Sequence, residues 1–306
     1  MDRRMSKRLE TKLGRLALAN PVTVASGTFS YDYSEYVDFN RLGAIVTKTI
    51  TKEARGGNPT PRLFETEAGL LNSIGLQNPG LEKFIKEELP RYNQWKAPLL
   101  VSLSGSSIEE FCEIVTRMDE EECAGYEINV SCPNVKNEGI AFGVDPRVVY
   151  ELTTKLRQLT QRELIIKLSP NVTDIVAVAK AAKEGGADSL ALINTLLGMA
   201  IDWKTGKSRI ARGVAGYSGI AIKPVALSNV WRVAKAVDIP ILAMGGIANF
   251  QDALEFFYAG ASVVAVGTEN FMNPHATIEL IDKLDIHLDS HKTTLTDIIG
   301  KVKGVI

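Results

Sequence analysis

Eight short apolar runs punctuate this chain: Val22 to Ala25, Ala44 to Lys48, Leu99 to Leu103, Gly125 to Val130, Leu164 to Leu168, Ser189 to Ile193, Ile241 to Met244 and Ser262 to Val266. Between them lie segments with apolar residues at helical spacing, among them Ser107 to Met118, Pro146 to Thr160, Val172 to Glu184, Ile222 to Ala236 and Ala248 to Tyr258. Strand then helix, repeated eight times, predicts an α/β chain closed into a (β/α)₈ TIM barrel. The rival is an open doubly wound sheet, but no GxGxxG fingerprint follows the first run and no break separates two halves. At 306 residues and 45% hydrophobic, the chain can bury a large core, so a single domain over 1–306 is expected.

Charge and cysteine usage narrow the partners. A formal net charge of -1 supplies no polycationic face for nucleic acid. Cys112, Cys123 and Cys132 are odd in number and lack CxxC spacing, so neither a disulfide framework nor a metal or cluster site is expected, and a reducing cytoplasm fits. The start, Met1 to Glu10, is basic without the apolar run of a signal peptide or anchor.

Barrels of this kind place their chemistry where strands end at the carboxyl side. Here that ring is polar: Ser26, Lys48 with Thr49, Ser102, Asn129, Lys167, Asn194 with Thr195, Gly245 with Gly246, and Gly267 with Thr268. The last two pairs follow the seventh and eighth runs, where glycine lets backbone N–H groups approach a phosphate closely. Lys48 and Lys167 either snorkel to solvent or point inward as fixed positive charges beside a thiol. Asn72, Asn129, Asn134 and Asn194 offer paired donors and acceptors suited to an amide-rich ring. His275, His287 and His291 all fall late, outside the expected mouth.

Cys132 follows the fourth run, inside Glu127-Ile-Asn-Val-Ser-Cys-Pro-Asn134. A thiol with a pKa near ~8.5 needs roughly 2 kcal/mol of help to act as a base at neutral pH, which a nearby cation can supply. The plain alternative is a buried, inert cysteine. Two intervals, Thr49 to Pro79 and Asn194 to Ser218, are long and rich in Gly, Asn and Pro, so we expect ordered substructure over the mouth. Pro133 to Val144, with Gly139 and Gly143 as hinges, reads as a lid or an ordinary connection.

Asn58-Pro-Thr-Pro-Arg62, Leu71-Asn-Ser-Ile-Gly-Leu-Gln-Asn-Pro-Gly80, Asn129-Val-Ser-Cys-Pro-Asn134, Lys167-Leu-Ser-Pro170, Ile193-Asn-Thr195, Ile222-Lys-Pro224, Met244-Gly-Gly246 and Ala265-Val-Gly-Thr268 occur in order along nearly the whole chain. In these motifs the sequence resembles the class 1 dihydroorotate dehydrogenases. The resemblance implies one flavin mononucleotide (FMN) per chain and oxidation of dihydroorotate to orotate in pyrimidine synthesis. It implies that Cys132 removes the C5 proton while hydride passes from C6 to the flavin. Matching positions imply that Ser26, Lys48, Thr49, Ser102, Asn129, Lys167, Ile193, Gly219, Gly245, Gly246, Gly267 and Thr268 bind the flavin. They likewise imply that Lys48, Asn72, Ser73, Ile74, Gly75, Leu76, Asn129, Asn134, Asn194 and Thr195 bind the substrate.

Ile193-Asn-Thr-Leu-Leu-Gly-Met199 and Gly75-Leu-Gln-Asn78 resemble class 1B, not the fumarate-using class 1A. Class 1B implies an electron-transfer partner with FAD and a 2Fe-2S cluster that delivers electrons to NAD, in a heterotetramer of two catalytic and two electron-transfer chains. Two residues depart from the pattern: Ser102 stands where asparagine is common and Ile220 where proline is usual. The readings to be weighed against this one are a class 1A-like fumarate-dependent dihydroorotate dehydrogenase, a flavoprotein acting on another cyclic amide, a Schiff-base barrel using Lys48 or Lys167, and a catalytically silent binding subunit.

Overall fold

The computed structural model describes residues 6–131 and 142–304. Cys132, Asn134 and the proposed hinge Gly139 lie outside the described residues. Strands run in the order β1 (Thr11–Leu13), β2 (Leu16–Leu18), β3 (Val22–Val24), β4 (Ile45–Val46), β5 (Leu63–Thr66), β6 (Gly69–Asn72) and β7 (Leu99–Leu103). They continue with β8 (Gly125–Asn129), β9 (Glu163–Lys167), β10 (Ser189–Leu192), β11 (Leu196–Met199), β12 (Val214–Ser218), β13 (Ile241–Met244) and β14 (Val263–Val266). Helices α1 (Leu81–Lys83) and α2 (Leu89–Tyr92), joined by a π turn over Phe84–Glu88, precede β7. The remaining helices are α3 (Ile108–Met118), α4 (Pro146–Leu159), α5 (Ile175–Glu184), α6 (Lys223–Ala234), α7 (Phe250–Ala259), α8 (Glu269–Met272), α9 (Ala276–Ser290) and α10 (Leu295–Ile298).

All eight expected runs form parallel strands of one sheet, ordered β3-β14-β13-β10-β9-β8-β7-β4. Its two ends meet where Gly43 N–H donates to the Val22 carbonyl at 2.8 Å and Thr23 Oγ1 donates to the Ala44 carbonyl at 2.7 Å. The sheet thereby closes into the expected barrel. Local chemistry starts the helices where the pattern places them: Ser107, Asp145 and Asp174 each accept a first-turn N–H, and Asn249 with Asp252 forms a reciprocal capping box on α7.

Because alternate residues of a strand share a face, one set fills the barrel and the other packs under the helices. Ala44, Val46, Leu100, Ile165, Ala191, Leu242, Met244, Val263 and Ala265 form the inner cluster. Leu13 and Leu18, fully buried in that same cluster, come from the β1–β2 hairpin, which plugs the amino end. Burial of each such leucine contributes about 1.5–3 kcal/mol. The outer layer is a larger continuous cluster between strands and helices.

The two long intervals do form ordered substructure, and they form it together. Hairpin β5–β6 from the first and hairpin β11–β12 from the second join through antiparallel β6–β12 pairing, with Asn72 opposite Gly216 and Leu70 opposite Ser218. Phe142 is buried edge-on against Phe111, and Gly143 N–H donates to the Val130 carbonyl at 2.8 Å. Gly143 is thus hydrogen-bonded to the residue that follows β8.

Candidate functional site

Parity along the central strands decides which polar side chains enter the barrel. Ser102 on β7 pairs in register with Glu127 on β8, and Asn129 pairs with Lys167 on β9, so these residues sit at adjacent levels near the carboxyl end. Lys167 does not snorkel outward: its side chain is 5% exposed. Its Nζ donates to Ser26 Oγ at 2.9 Å and to Glu127 Oε1 at 3.3 Å. In an eight-strand ring ordered as above, β9 and β3 are opposite, so the lysine spans the lumen to reach Ser26.

Glu127 is the residue that strand-end reasoning missed. Its side chain is fully buried, and Oε1 also accepts from Ser102 Oγ at 2.9 Å. Ser102 Oγ lies 2.9 Å from Thr49 Oγ1, while its backbone N–H donates to Thr47 Oγ1 at 3.1 Å. Thr49, Ser102, Glu127, Lys167 and Ser26 therefore form one hydrogen-bonded chain across the mouth floor. Ser102, which departs from the family pattern, has its hydroxyl committed to this chain. Lys48 reaches the turn after β3, where a Cβ added to Gly27 would lie 3.0 Å from its Nζ.

A second cluster gathers the asparagines. Asn194 Nδ2 donates to Ser131 Oγ at 2.8 Å and to Asn129 Oδ1 at 3.3 Å, and Asn129 Oδ1 also accepts the Ser131 N–H at 3.2 Å. Ser131, the residue before Cys132, is thus tied to two predicted substrate residues. Asn72 joins from the antiparallel sheet, donating to the Gly216 carbonyl at 3.4 Å; Gly216 is also the backbone against which Thr195 packs. Asn171 is a further residue the sequence reading passed over: it donates to the Thr195 carbonyl at 2.9 Å and accepts the Leu197 N–H at 3.0 Å.

Ser73 to Leu76 are shaped by their neighbours. Asn58 Nδ2 donates to Ser73 Oγ at 2.9 Å, and Asn78 Nδ2 donates to the Leu76 carbonyl at 2.8 Å. Gly75 and Leu76 both take positive φ, 76° and 53°, an unusual conformation for leucine. Ile74 is half-buried between them and Ser73.

The glycine loops lie beyond β12, β13 and β14. Gly219 (φ 102°), Gly245 (φ 123°) and Gly246 (φ 79°) adopt conformations that disfavour other residues. A Cβ on Gly246 would come 2.7 Å from Lys223 Cβ and 3.0 Å from the Gly219 carbonyl oxygen, so the loop after β13 requires bare backbone, whereas a Cβ on Gly267, after β14, would meet only Ala25 Cβ at 3.6 Å. Thr268 Oγ1 donates to Ser218 Oγ at 2.8 Å, linking the loop after β14 to the end of β12. Ile193 holds the end of β10 to its neighbour, its N–H donating to the Met244 carbonyl at 3.1 Å.

Cys112 lies on α3 in the outer layer, and Cys123 precedes β8 at the amino end of the barrel. Burial pushes both thiols up from their ordinary range, which suits inert cysteines. His275, His287 and His291 belong to α9 and its caps, on the outer layer as expected.

Comparison with known proteins gives one consistent set of relatives. The family model for dihydroorotate dehydrogenase matches residues 8–288. The chain is 51% identical over 287 residues to the dihydroorotate dehydrogenase B (NAD(+)) catalytic subunit of Desulforamulus reducens, covering 93% of this chain and 94% of that one. It is 49% identical over 285 residues to the protein of the same name from Alkaliphilus metalliredigens, covering 92% and 94%. A third, from Geobacillus kaustophilus, is 50% identical over 285 residues, covering 92% and 91%.

Proposed function

The chain belongs to the dihydroorotate dehydrogenase family, within class 1B, and from that premise we propose that it oxidises dihydroorotate to orotate in pyrimidine synthesis, with Cys132 as the base. The observation that carries the reading is the union of a lysine-spanned polar floor with glycine loops at the same barrel end. Those residues fit FMN. Gly219, Gly245, Gly246, Gly267 and Thr268 would hold its phosphate, and Ser26, Lys48, Thr49, Ser102, Asn129, Lys167 and Ile193 the remainder.

FMN, when bound, supplies the acceptor for the two electrons that leave C6 as hydride. The chain's own residues do the rest. Lys48, Asn72, Ser73, Ile74, Gly75, Leu76, Asn129, Asn134, Asn194 and Thr195 would orient the dihydroorotate ring. The Ser131–Asn194–Asn129 cluster positions the backbone that leads into Cys132. The C5 proton, acidified by the neighbouring carbonyl, would pass to the Cys132 sulfur, which receives it as the thiolate. Electrons would leave through a partner subunit with FAD and a 2Fe-2S cluster, then reach NAD, in a cytoplasmic assembly of two catalytic and two electron-transfer chains.

Mixing the FMN-loaded chain with dihydroorotate without oxygen should bleach the flavin band. Cys132→Ser should retain FMN yet bleach orders of magnitude more slowly at pH 7, because an alcohol is a far poorer base. Unchanged bleaching in that variant removes Cys132 from the mechanism, and fumarate reduction by the lone chain overturns class 1B electron transfer.

A further inference from the structure

The Glu127 carboxylate is used on one side only. Oε1 accepts from Lys167 Nζ and Ser102 Oγ, whereas Oε2 is buried with no hydrogen-bond partner among the described residues. Burying a carboxylate in this way is costly unless a cation accompanies it. The cation here is a lysine stretched across the lumen, whose Nζ lies between Glu127 on one side and Ser26 on the other. Fixing that ammonium laterally takes both contacts.

We propose that Glu127 is a positioning residue: it holds the Lys167 ammonium in place and offsets its charge, and thereby sets the reduction equilibrium of the bound flavin. This rests on the flavin reading above. A lysine ammonium in a water-poor floor stabilises the electron-rich reduced ring, and a carboxylate 3.3 Å from the same ammonium opposes that effect. Removing the negative charge while keeping the shape leaves the lysine unopposed. Glutamine does this with little new penalty, since its amide nitrogen can occupy the unpartnered position and its oxygen can keep the Ser102 and Lys167 contacts.

The experiment equilibrates the FMN-loaded full chain with a reference dye under reducing titration at pH 7, for the parent and for Glu127→Gln and Glu127→Asp. Glu127→Gln should move the equilibrium at least tenfold toward reduced flavin, which is about 30 mV for a two-electron couple. Glu127→Asp, which keeps the charge, should move it less than threefold. Equal shifts in the two variants, or an unmoved equilibrium in a Glu127→Gln protein that binds FMN normally, would reduce Glu127 to a structural role and overturn the assignment. Should Glu127→Gln fail to fold, Ser102→Ala serves instead. Losing that donor concentrates charge on Oε1 and should shift the equilibrium the opposite way, toward oxidised flavin; no shift overturns the assignment. A parent chain that takes up no FMN sinks the flavin reading and this assignment with it, and does so before any variant is compared.

Discussion

Glu163 offers a test of the barrel's architecture far from its chemistry. It opens β9 at the amino end, buried, with Ser189 Oγ donating to Oε1 at 2.5 Å and the Arg15 N–H of the β1–β2 hairpin donating to Oε2 at 2.7 Å. Gly125 and Gly14 face it, leaving room that a Cβ on either would fill. The other charged groups nearby are Asp188 and its partners Arg15 and Arg157. Burial raises the carboxyl from 4.5 to about 7, more than the hydrogen bonds from Ser189 and Arg15 lower it. Between those two values the folded chain holds a proton that the unfolded chain has released. Stability must therefore fall as pH rises through this window, at about 1.4 kcal/mol per pH unit, to a total of about 3 kcal/mol above pH 7. Glu163→Gln keeps the shape and one acceptor but cannot ionise. In urea unfolding at saturating FMN, the variant should lack this slope and exceed the parent by about 2–3 kcal/mol at pH 8, with near-equal stability at pH 5 and unchanged turnover. Identical slopes for parent and variant between pH 5 and 7, or a variant weaker at pH 8, would refute the reasoning.

Asn78→Ala removes a buried side chain that accepts the Gly80 N–H at 2.9 Å and donates to Thr51 Oγ1 and the Leu76 carbonyl, both at 2.8 Å. Thermal melts should show a loss of about 2–3 kcal/mol, and KM for dihydroorotate should rise because the Gly75–Leu76 turn loses its brace. Gly219→Ala forces φ 102° on a residue with a Cβ that would lie 2.6 Å from Gly69 Cα. We expect a cost of about 1–3 kcal/mol and FMN affinity lowered at least tenfold, measured by fluorescence titration.

The barrel strands and five helices were legible because each repeats one period over enough residues to be seen. The β1–β2 hairpin was not, since three-residue strands carry no measurable alternation. The four-stranded sheet was legible only as order without form. Its strands are four or five residues long, and the pairing that joins them brings Asn72 to Gly216, a contact between distant parts of the chain that no local pattern encodes. The polar ring was legible as residue types, yet its connectivity was not. Lys167 and Ser26 meet because β9 and β3 stand opposite in the closed barrel, which follows only from the strand order.

Glu127 is the instructive omission, because the signal for it was present. Asn129 belongs to the polar ring of strand ends, and residues two apart on a strand share a face, so Glu127 shares that face with it. A glutamate in that position lies one level below the strand ends, beneath the ring, between Ser102 of β7 and Ile165 of β9. Such a group keeps its charge most readily when a cation comes down to meet it. Among the inward positions of the next strand, Glu163, Ile165 and Lys167, only Lys167 can do so, and the observed pair is this one. Reading strand ends alone finds the groups that touch a ligand; reading one period further down finds the groups that hold them there.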